Sequence, residues 1–540
     1  MPDFLALIRR GIRLPPAGWV LAAMLAFYVL AGLFGRDPWK GEDAIHIGAA
    51  WHMLSYGDWL SPDLAGRPFH EPPLYYWSAA LTGKLFGWLL PMHEAMRLAS
   101  GLWLTLALMG LYYAGRELYG QESAAASPLL LAGSAGLLFH AHDAQPMLVA
   151  LAAYGGSIGA LAAMERRPHL SGIFYGLSLA GCLLGAGLAP VLPLLAILPL
   201  AWWLAPDRQK ALRTLGISLA IAALLCLPWP ALLLALEPAR FHGWLATELA
   251  PLKTPFSFSG AGRFLSMLPW FAFPAIPLAG WTLWTRRAHL AAKPQLLPLA
   301  LFFITLLMLA LAYRPREIPA LLLLPPLALL ATPGALTLRR GAANAFDWFA
   351  MMTFSVFVAL VWLCWSAMAL GWPEKLAKRV VILRPGFVGH FEILALLVGL
   401  AATLWWIWLI VTAPRSPYRS LTHWTMGFTA LWLLATTLIL PWFDYGKSYR
   451  PVAQAIARSL PDKHGCIAER GLSDTQRASL AYFVEIEPLL LETPAGQKCN
   501  WLLVSGTNRQ ELAAPDGSWN KVWEGSRPSE RKEKMRLFKR

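Results

Sequence analysis

The chain has 540 residues, 57% of them hydrophobic and only 14% charged, with a mean hydropathy of +0.48. That balance excludes a soluble protein of this size, which would carry far more charge and alternating amphipathic periods. The net charge of +15 does not mark a nucleic-acid partner, because the basic residues fall in short clusters between apolar runs: Arg9-Arg10, Arg166-Arg167, Arg208 with Lys210 and Arg213, Arg286-Arg287, Arg339-Arg340, and Arg415 with Arg419.

Apolar runs near the span of a bilayer recur almost to the end, and the 27 Trp and 14 Tyr suit membrane–water interfaces. A window of about 20 residues predicts about thirteen spans, near 17–35, 98–117, 128–140, 146–164, 170–185, 187–205, 212–235, 266–284, 296–312, 317–332, 347–372, 390–412 and 422–441. The first follows Arg9, Arg10 and Arg13 without a cleavage site before a polar region, and reads as a retained anchor. With the N-terminus inside, every basic pair above falls on the cytoplasmic face. The outer face then receives 36–97, 140–145, 236–265 and 313–317. It also receives 373–389, which is basic through Lys375, Lys378, Arg379 and Arg384 and so runs against the trend, leaving room for anionic head groups.

From Asp444 the composition turns polar. Strand-like runs at Cys466–Glu469, Pro488–Glu492, Trp501–Ser505 and Lys534–Phe538 flank a helical stretch at Ser473–Val484. The expected organisation is a transmembrane part over 1–443 and a small periplasmic α/β domain over 444–540. There Cys466 and Cys499 can form a disulfide. Cys182, Cys226 and Cys364 lie in apolar runs as packing residues, and no Cys/His metal spacing occurs.

The first outer loop is too long for a mere connection. Glu42 and Asp43 open a helix, where the helix dipole favours carboxylates. His46 lies i+4 from Glu42 and i+3 from Asp43, so it can share a face with either. A capped interfacial helix with a solvated acidic start accounts for the same residues. The loop continues through Gly57-Asp58-Trp59, Gly66-Arg67-Pro68 and Glu71-Pro72-Pro73-Leu74 to Tyr76-Trp77, and His93-Glu94-Ala95-Met96-Arg97 precedes the second span.

These motifs resemble the first periplasmic loop of the type C glycosyltransferases, in the branch of the lipid A aminoarabinose transferases and protein O-mannosyltransferases. The resemblance implies a polytopic α-helical fold in the bacterial inner membrane. It further implies transfer of a sugar from a polyprenyl-phosphate donor to a hydroxyl on lipid A, another glycan or a protein. The chain departs from the pattern in several places. Glu42 stands at the family's catalytic carboxylate and Asp43 beside it, in inverted order. Ile45-His46 replaces Arg-Tyr, the Lys after Glu71 is missing, His142-Asp143 occupies a turn where relatives carry Asp before Pro-Met, and Ala186-Gly187 replaces Lys-Gly.

The reaction needs a carboxylate to accept a proton and cations to neutralise the departing phosphate. Glu42 or Asp43 suits the first role, with Glu71 as a second acid. The expected substrate and phosphate contacts are Arg97, His142, Asp143, Arg240, His242, Glu248, Arg314 and Arg316. No cofactor is required, although a divalent cation between Asp43 and His46 is open because some type C enzymes use one. A transporter of lipid-linked sugars would place charges within its spans and show internal repeats, and neither is seen. An inactive binding subunit fits the substituted positions.

Overall fold

A computed structural model of the chain describes residues 17–253, 258–313, 316–528, 530 and 532–540. Among these residues, eight helices are long and apolar enough to cross a membrane: Met92–Tyr119, Pro168–Ala186, Arg208–Leu236, Lys293–Ala312, Glu317–Leu336, Arg340–Ala369, Ile393–Thr412 and Arg419–Lys447. A bent pair, Gly260–Phe271 and Ala275–Thr285, meets at 101° and makes a ninth if it is one span. Three shorter apolar helices, Leu21–Leu30, Met147–Ala163 and Leu188–Trp203, fall below spanning length.

Several of the roughly thirteen expected spans are short or broken in the structure. The stretch near 128–140 is broken into Ala126–Ala132 and Ala135–Leu138. Gly133 lies between them so close to another helix that a Cβ there would come within 2.9 Å of Trp424 and Thr425. The stretch near 187–205 breaks at Ile197, between Pro193 and Pro199, because a proline inside a helix removes one ladder hydrogen bond and crowds the preceding turn. Elsewhere glycines let helices touch. A Cβ at Gly110 would meet the Gly156 backbone nitrogen at 2.8 Å, the close small-residue packing expected where burial alone cannot drive helix association.

The first loop folds into two short helices, Glu42–Tyr56 and Leu74–Phe86. Gly57, at φ 74°, ends the first in the left-handed conformation, with its amide bonded to the Met53 carbonyl.

The polar C-terminal segment forms one five-stranded sheet of order β2-β1-β3-β5-β4. The strands are β1 (Ile467–Arg470), β2 (Leu489–Leu490), β3 (Trp501–Gly506), β4 (Asn520–Gly525) and β5 (Lys534–Lys539). β1 runs parallel to β2 and β3, while β5 runs antiparallel to β3 and β4. The helix Asp474–Val484 is started by a capping box of Ser473 and Gln476. Cys466 and Cys499 are joined, with Cα atoms 5.2 Å apart.

This segment packs directly on the first loop. Ala478 lies against Gly48, where a Cβ would approach to 2.8 Å, and the Tyr482 hydroxyl stands 2.9 Å from His93 Nδ1. Arg67 pairs with buried Glu469, Asp37 takes a bond of 2.9 Å from Arg450 Nε, and Lys40 meets Glu533 at 2.8 Å.

Candidate active site

The adjacent acids at the start of Glu42–Tyr56 have opposite environments. Asp43 turns inward and is 3% exposed. Arg97 grips it with Nε and Nη2 at 3.1 and 2.9 Å, and Arg36 Nη1 stands at 3.4 Å. The amides of Ala144 and Trp39 also donate to it, at 2.7 and 3.1 Å. Burial pushes this carboxyl up in pKa, but the Arg97 and Arg36 charges and these hydrogen bonds outweigh it and hold the group far below the usual carboxylate range. Asp43 is thus the centre of a buried ionic knot that joins the first loop to the turn before Met147.

Glu42 turns outward, and its side chain is 44% exposed. His46, one helical turn on, brings Nε2 to 3.3 Å from Glu42 Oε2. Of the two partners that spacing allowed, the imidazole takes Glu42. Its Nδ1 lies 2.7 Å from the Tyr76 hydroxyl, which donates its single proton to Glu71. Nδ1 must therefore be the donor to Tyr76, and Nε2, facing a carboxylate, donates as well. A ring that donates from both nitrogens is the imidazolium. Burial opposes that charge, but Glu71, the Glu42 hydrogen bond and the Glu42 charge prevail, and the His46 pKa is raised. The His46 hydrogen bond lowers the Glu42 pKa against partial burial, assisted by the charges of His46, Arg316 and His140. The result is a chain of four groups, Glu42–His46–Tyr76–Glu71, with an ionised carboxylate at its open end.

A pH dependence follows from His46. A group whose folded pKa is raised stabilises the fold fully below its unfolded value, about 6.5, and loses that contribution as pH rises through the folded value. The melting temperature of the parent should fall more steeply above about pH 6.5 than that of His46→Gln. Parallel curves would show that the ring is neutral in the fold.

Several sequence-predicted contacts are placed elsewhere. Arg97 is fully buried and consumed by Asp43, so it cannot touch a substrate. Asp143 is occupied by Arg36 Nη2 at 2.6 Å. His142 is 1% exposed, stacks on Trp432 and faces the Tyr28 carbonyl through Nε2. Burial pushes its pKa down to about 4, so it is a neutral packing residue. Arg240 is caged by Asp63 at 2.9 Å, Glu237 at 2.7 Å and Asp58 at 3.7 Å, which explains the acid in Gly57-Asp58-Trp59 better than a phosphate role for Arg240. Glu248 accepts the Leu188 amide at 2.6 Å and fills the space beside Gly187 (φ +90°) that a Cβ would need. Burial, with Glu71 nearby, raises its pKa. His242 is exposed beside Phe241. Arg316 is exposed at the start of Glu317–Ala320, and Glu317 meets His140 at 3.3 Å. Arg314 lies outside the described residues.

The donor set does not fit a cation between Asp43 and His46. Both Asp43 oxygens point at guanidinium and amide donors, both His46 nitrogens are engaged by Glu42 and Tyr76, and among the described residues no group of three or more His, Cys, Asp or Glu is placed to hold a metal. Arg36, His140 and Tyr76 were not singled out from sequence. Tyr76 stands in the quoted Tyr-Trp motif, but its pairing with a histidine 30 positions away has no local signal.

An apolar cleft of about 530 Å³ is lined by Trp59, Leu60, Trp77, Leu225, Pro228, Trp229 and Leu232. Its wall residue Trp77 follows Tyr76 directly, and the Trp77 indole donates to the Trp59 carbonyl.

No protein-family model matches the chain. It is 32% identical over 293 residues to the undecaprenyl phosphate-α-4-amino-4-deoxy-L-arabinose arabinosyl transferase 1 of Sodalis glossinidius, covering 49% of this chain and 50% of that one. It is 30% identical over 330 residues to the corresponding transferase of Pseudomonas aeruginosa strain LESB58, covering 56% and 58%. The chain thus spans about half the length of the curated relatives it matches. Among solved structures, ArnT from Cupriavidus metallidurans bound to undecaprenyl phosphate superposes with a TM-score of 0.71 at 16% identity, over 97% of this chain and 98% of that one. The oligosaccharyltransferase AglB from Archaeoglobus fulgidus gives 0.51 at 10% identity, over 90% and 69%. The motifs of the first loop and the course of the backbone agree: this chain has the fold of the type C glycosyltransferases and is similar in sequence to their aminoarabinose-transferase branch.

Proposed function

We propose that this protein is a glycosyltransferase that moves a sugar from a polyprenyl-phosphate donor to an acceptor hydroxyl at the outer face of the inner membrane, with its C-terminal α/β segment on the same face. The observation that carries this reading is the division of labour between Glu42 and Asp43. One carboxylate is open and ionised, and the other is sealed into the support beneath it.

Glu42 accepts the proton of the acceptor hydroxyl as that oxygen bonds to the anomeric carbon. The bond from that carbon to the phosphate oxygen breaks, and the phosphate keeps the electron pair. Arg316, whose charge acts on Glu42, is the cation assigned to neutralise the growing negative charge, since arginine pairs phosphate oxygens bidentately. The apolar cleft beside Trp59 and Trp77 suits the first part of a prenyl tail. The relatives' names specify undecaprenyl phosphate and an aminoarabinose, and lipid A, another glycan and a protein are the acceptors to test.

Reconstituted protein should transfer label from a polyprenyl-phosphate sugar, and mass spectrometry of envelope glycolipids and glycoproteins with and without the protein should identify the product. Arg316→Ala should weaken donor binding by roughly 1.5–3 kcal/mol through loss of a charge-assisted bond, and Lys there should restore only part of it. Transfer from a nucleotide sugar, with none from the lipid-linked one, would overturn the assignment.

A further inference from the structure

The basic segment that runs against the charge rule forms a ten-residue helix, Glu374–Leu383. It lies between Arg340–Ala369 and Ile393–Thr412, both long and apolar enough to cross a membrane, so it is fixed at the level where those two helices end. Lys375, Lys378 and Arg379 are exposed on it, and Lys378 pairs with Glu374 at 2.6 Å. Equally exposed are Trp372 at 69%, Val381 at 51%, Ile382 at 61% and Leu383 at 60%. Cations and large apolar side chains bared together on one short helix belong in the plane of a membrane interface.

Arg384, at the end of this helix, supplies an independent observation. Its guanidinium packs on the Trp442 ring at 4.9 Å and against Gly446, where a Cβ would fall 1.7 Å from Nη1. No carboxylate among the described residues pairs with it, and the charged group acting on it is another cation, Arg527. Burial and that like charge both lower the Arg384 pKa, and a nearby anion would reverse the effect. A free phosphate would satisfy the charge but leave Val381, Ile382 and Leu383 in water, whereas a lipid brings acyl chains to cover them.

We infer that Arg384 is a binding site for the phosphate of an anionic phospholipid, with Lys375 and Arg379 drawing further anionic head groups along the helix. The site is coupled to the first loop. The Trp442 indole donates to the Val380 carbonyl at 3.4 Å and the Tyr445 hydroxyl to the Pro385 carbonyl at 3.2 Å. Between them Asp444 accepts from the Trp39 indole at 2.9 Å and the Asp37 amide at 3.0 Å. A bound lipid therefore braces the segment that holds the loop.

The test uses the full chain in nanodiscs of phosphatidylcholine alone or mixed equally with phosphatidylglycerol, with lipids retained on the released protein counted by native mass spectrometry. The parent should retain phosphatidylglycerol preferentially and melt at higher temperature in the mixed discs. Each cation removed should weaken retention by about five-fold, in Arg384→Gln and in Lys375→Gln/Arg379→Gln. The second variant changes only exposed side chains, so a folding defect cannot imitate the result. Equal retention of both lipids by the parent, or unchanged phosphatidylglycerol retention in both variants, would overturn the inference. Displacement by soluble glycerophosphate as effective as by the lipid would assign the site to free phosphate and overturn it equally.

Discussion

Glu42→Gln should leave the protein folded and lower the rate of sugar transfer by about 10²–10⁴, the usual contribution of a general base. The side chain is nearly half exposed, and its partner is the imidazole one turn on, which an amide oxygen can still meet. Melting temperature and detergent extraction should match the parent, and donor binding should change little. A variant that transfers sugar at the parental rate would remove Glu42 from the chemistry.

Asp43→Asn should give the opposite pattern. The substitution keeps the size of the side chain but leaves buried Arg97 without its carboxylate and buried Arg36 with Asp143 alone. Breaking a buried pair from one side costs about 3–5 kcal/mol, because an uncompensated charge remains inside. The expected result is a protein of low yield and low melting temperature whose surviving fraction retains chemistry. The parent should hold this contribution down to acid pH. A carboxylate with a depressed folded pKa stabilises above its unfolded value, near 3.9, and that stabilisation is lost only as pH falls through the lower folded value. If Asp43→Asn melts with the parent while abolishing transfer, the roles of the two acids are reversed.

The parts of this site that were legible in the sequence are those set by local periodicity. A spacing of four on a helix brought His46 to Glu42, and the capping box at Ser473 and Gln476 started the helix read from that stretch. What was not legible depends on chain segments meeting from afar. Asp43 and Glu42 are indistinguishable as letters. What separates them is an arginine 54 positions on and a backbone amide 101 positions on. Arg240 has the look of a phosphate contact because it stands near a span end, and only the fold surrounds it with Asp58, Asp63 and Glu237. β4 escaped notice for a different reason. It is an edge strand whose Asn520, Lys521, Val522 and Glu524 are all exposed, so it lacks the alternation that marks a half-buried strand.

The contacts between the first loop and the C-terminal sheet have a consequence for the order in which the protein matures. Asp37 waits for Arg450, 413 positions later, Arg67 for Glu469, 402 later, and His93 for Tyr482, 389 later. At a ribosomal rate of about 5–20 residues per second, the loop is made roughly 20–80 seconds before its last partners emerge. Through that interval the helices behind it can enter the bilayer one after another, while the loop, held by Asp43 to the Ala144 turn, still lacks its clamp from the C-terminal sheet. The first loop of a nascent chain is therefore braced from one side only, and its second support arrives in a single late step, when the sheet closes over it.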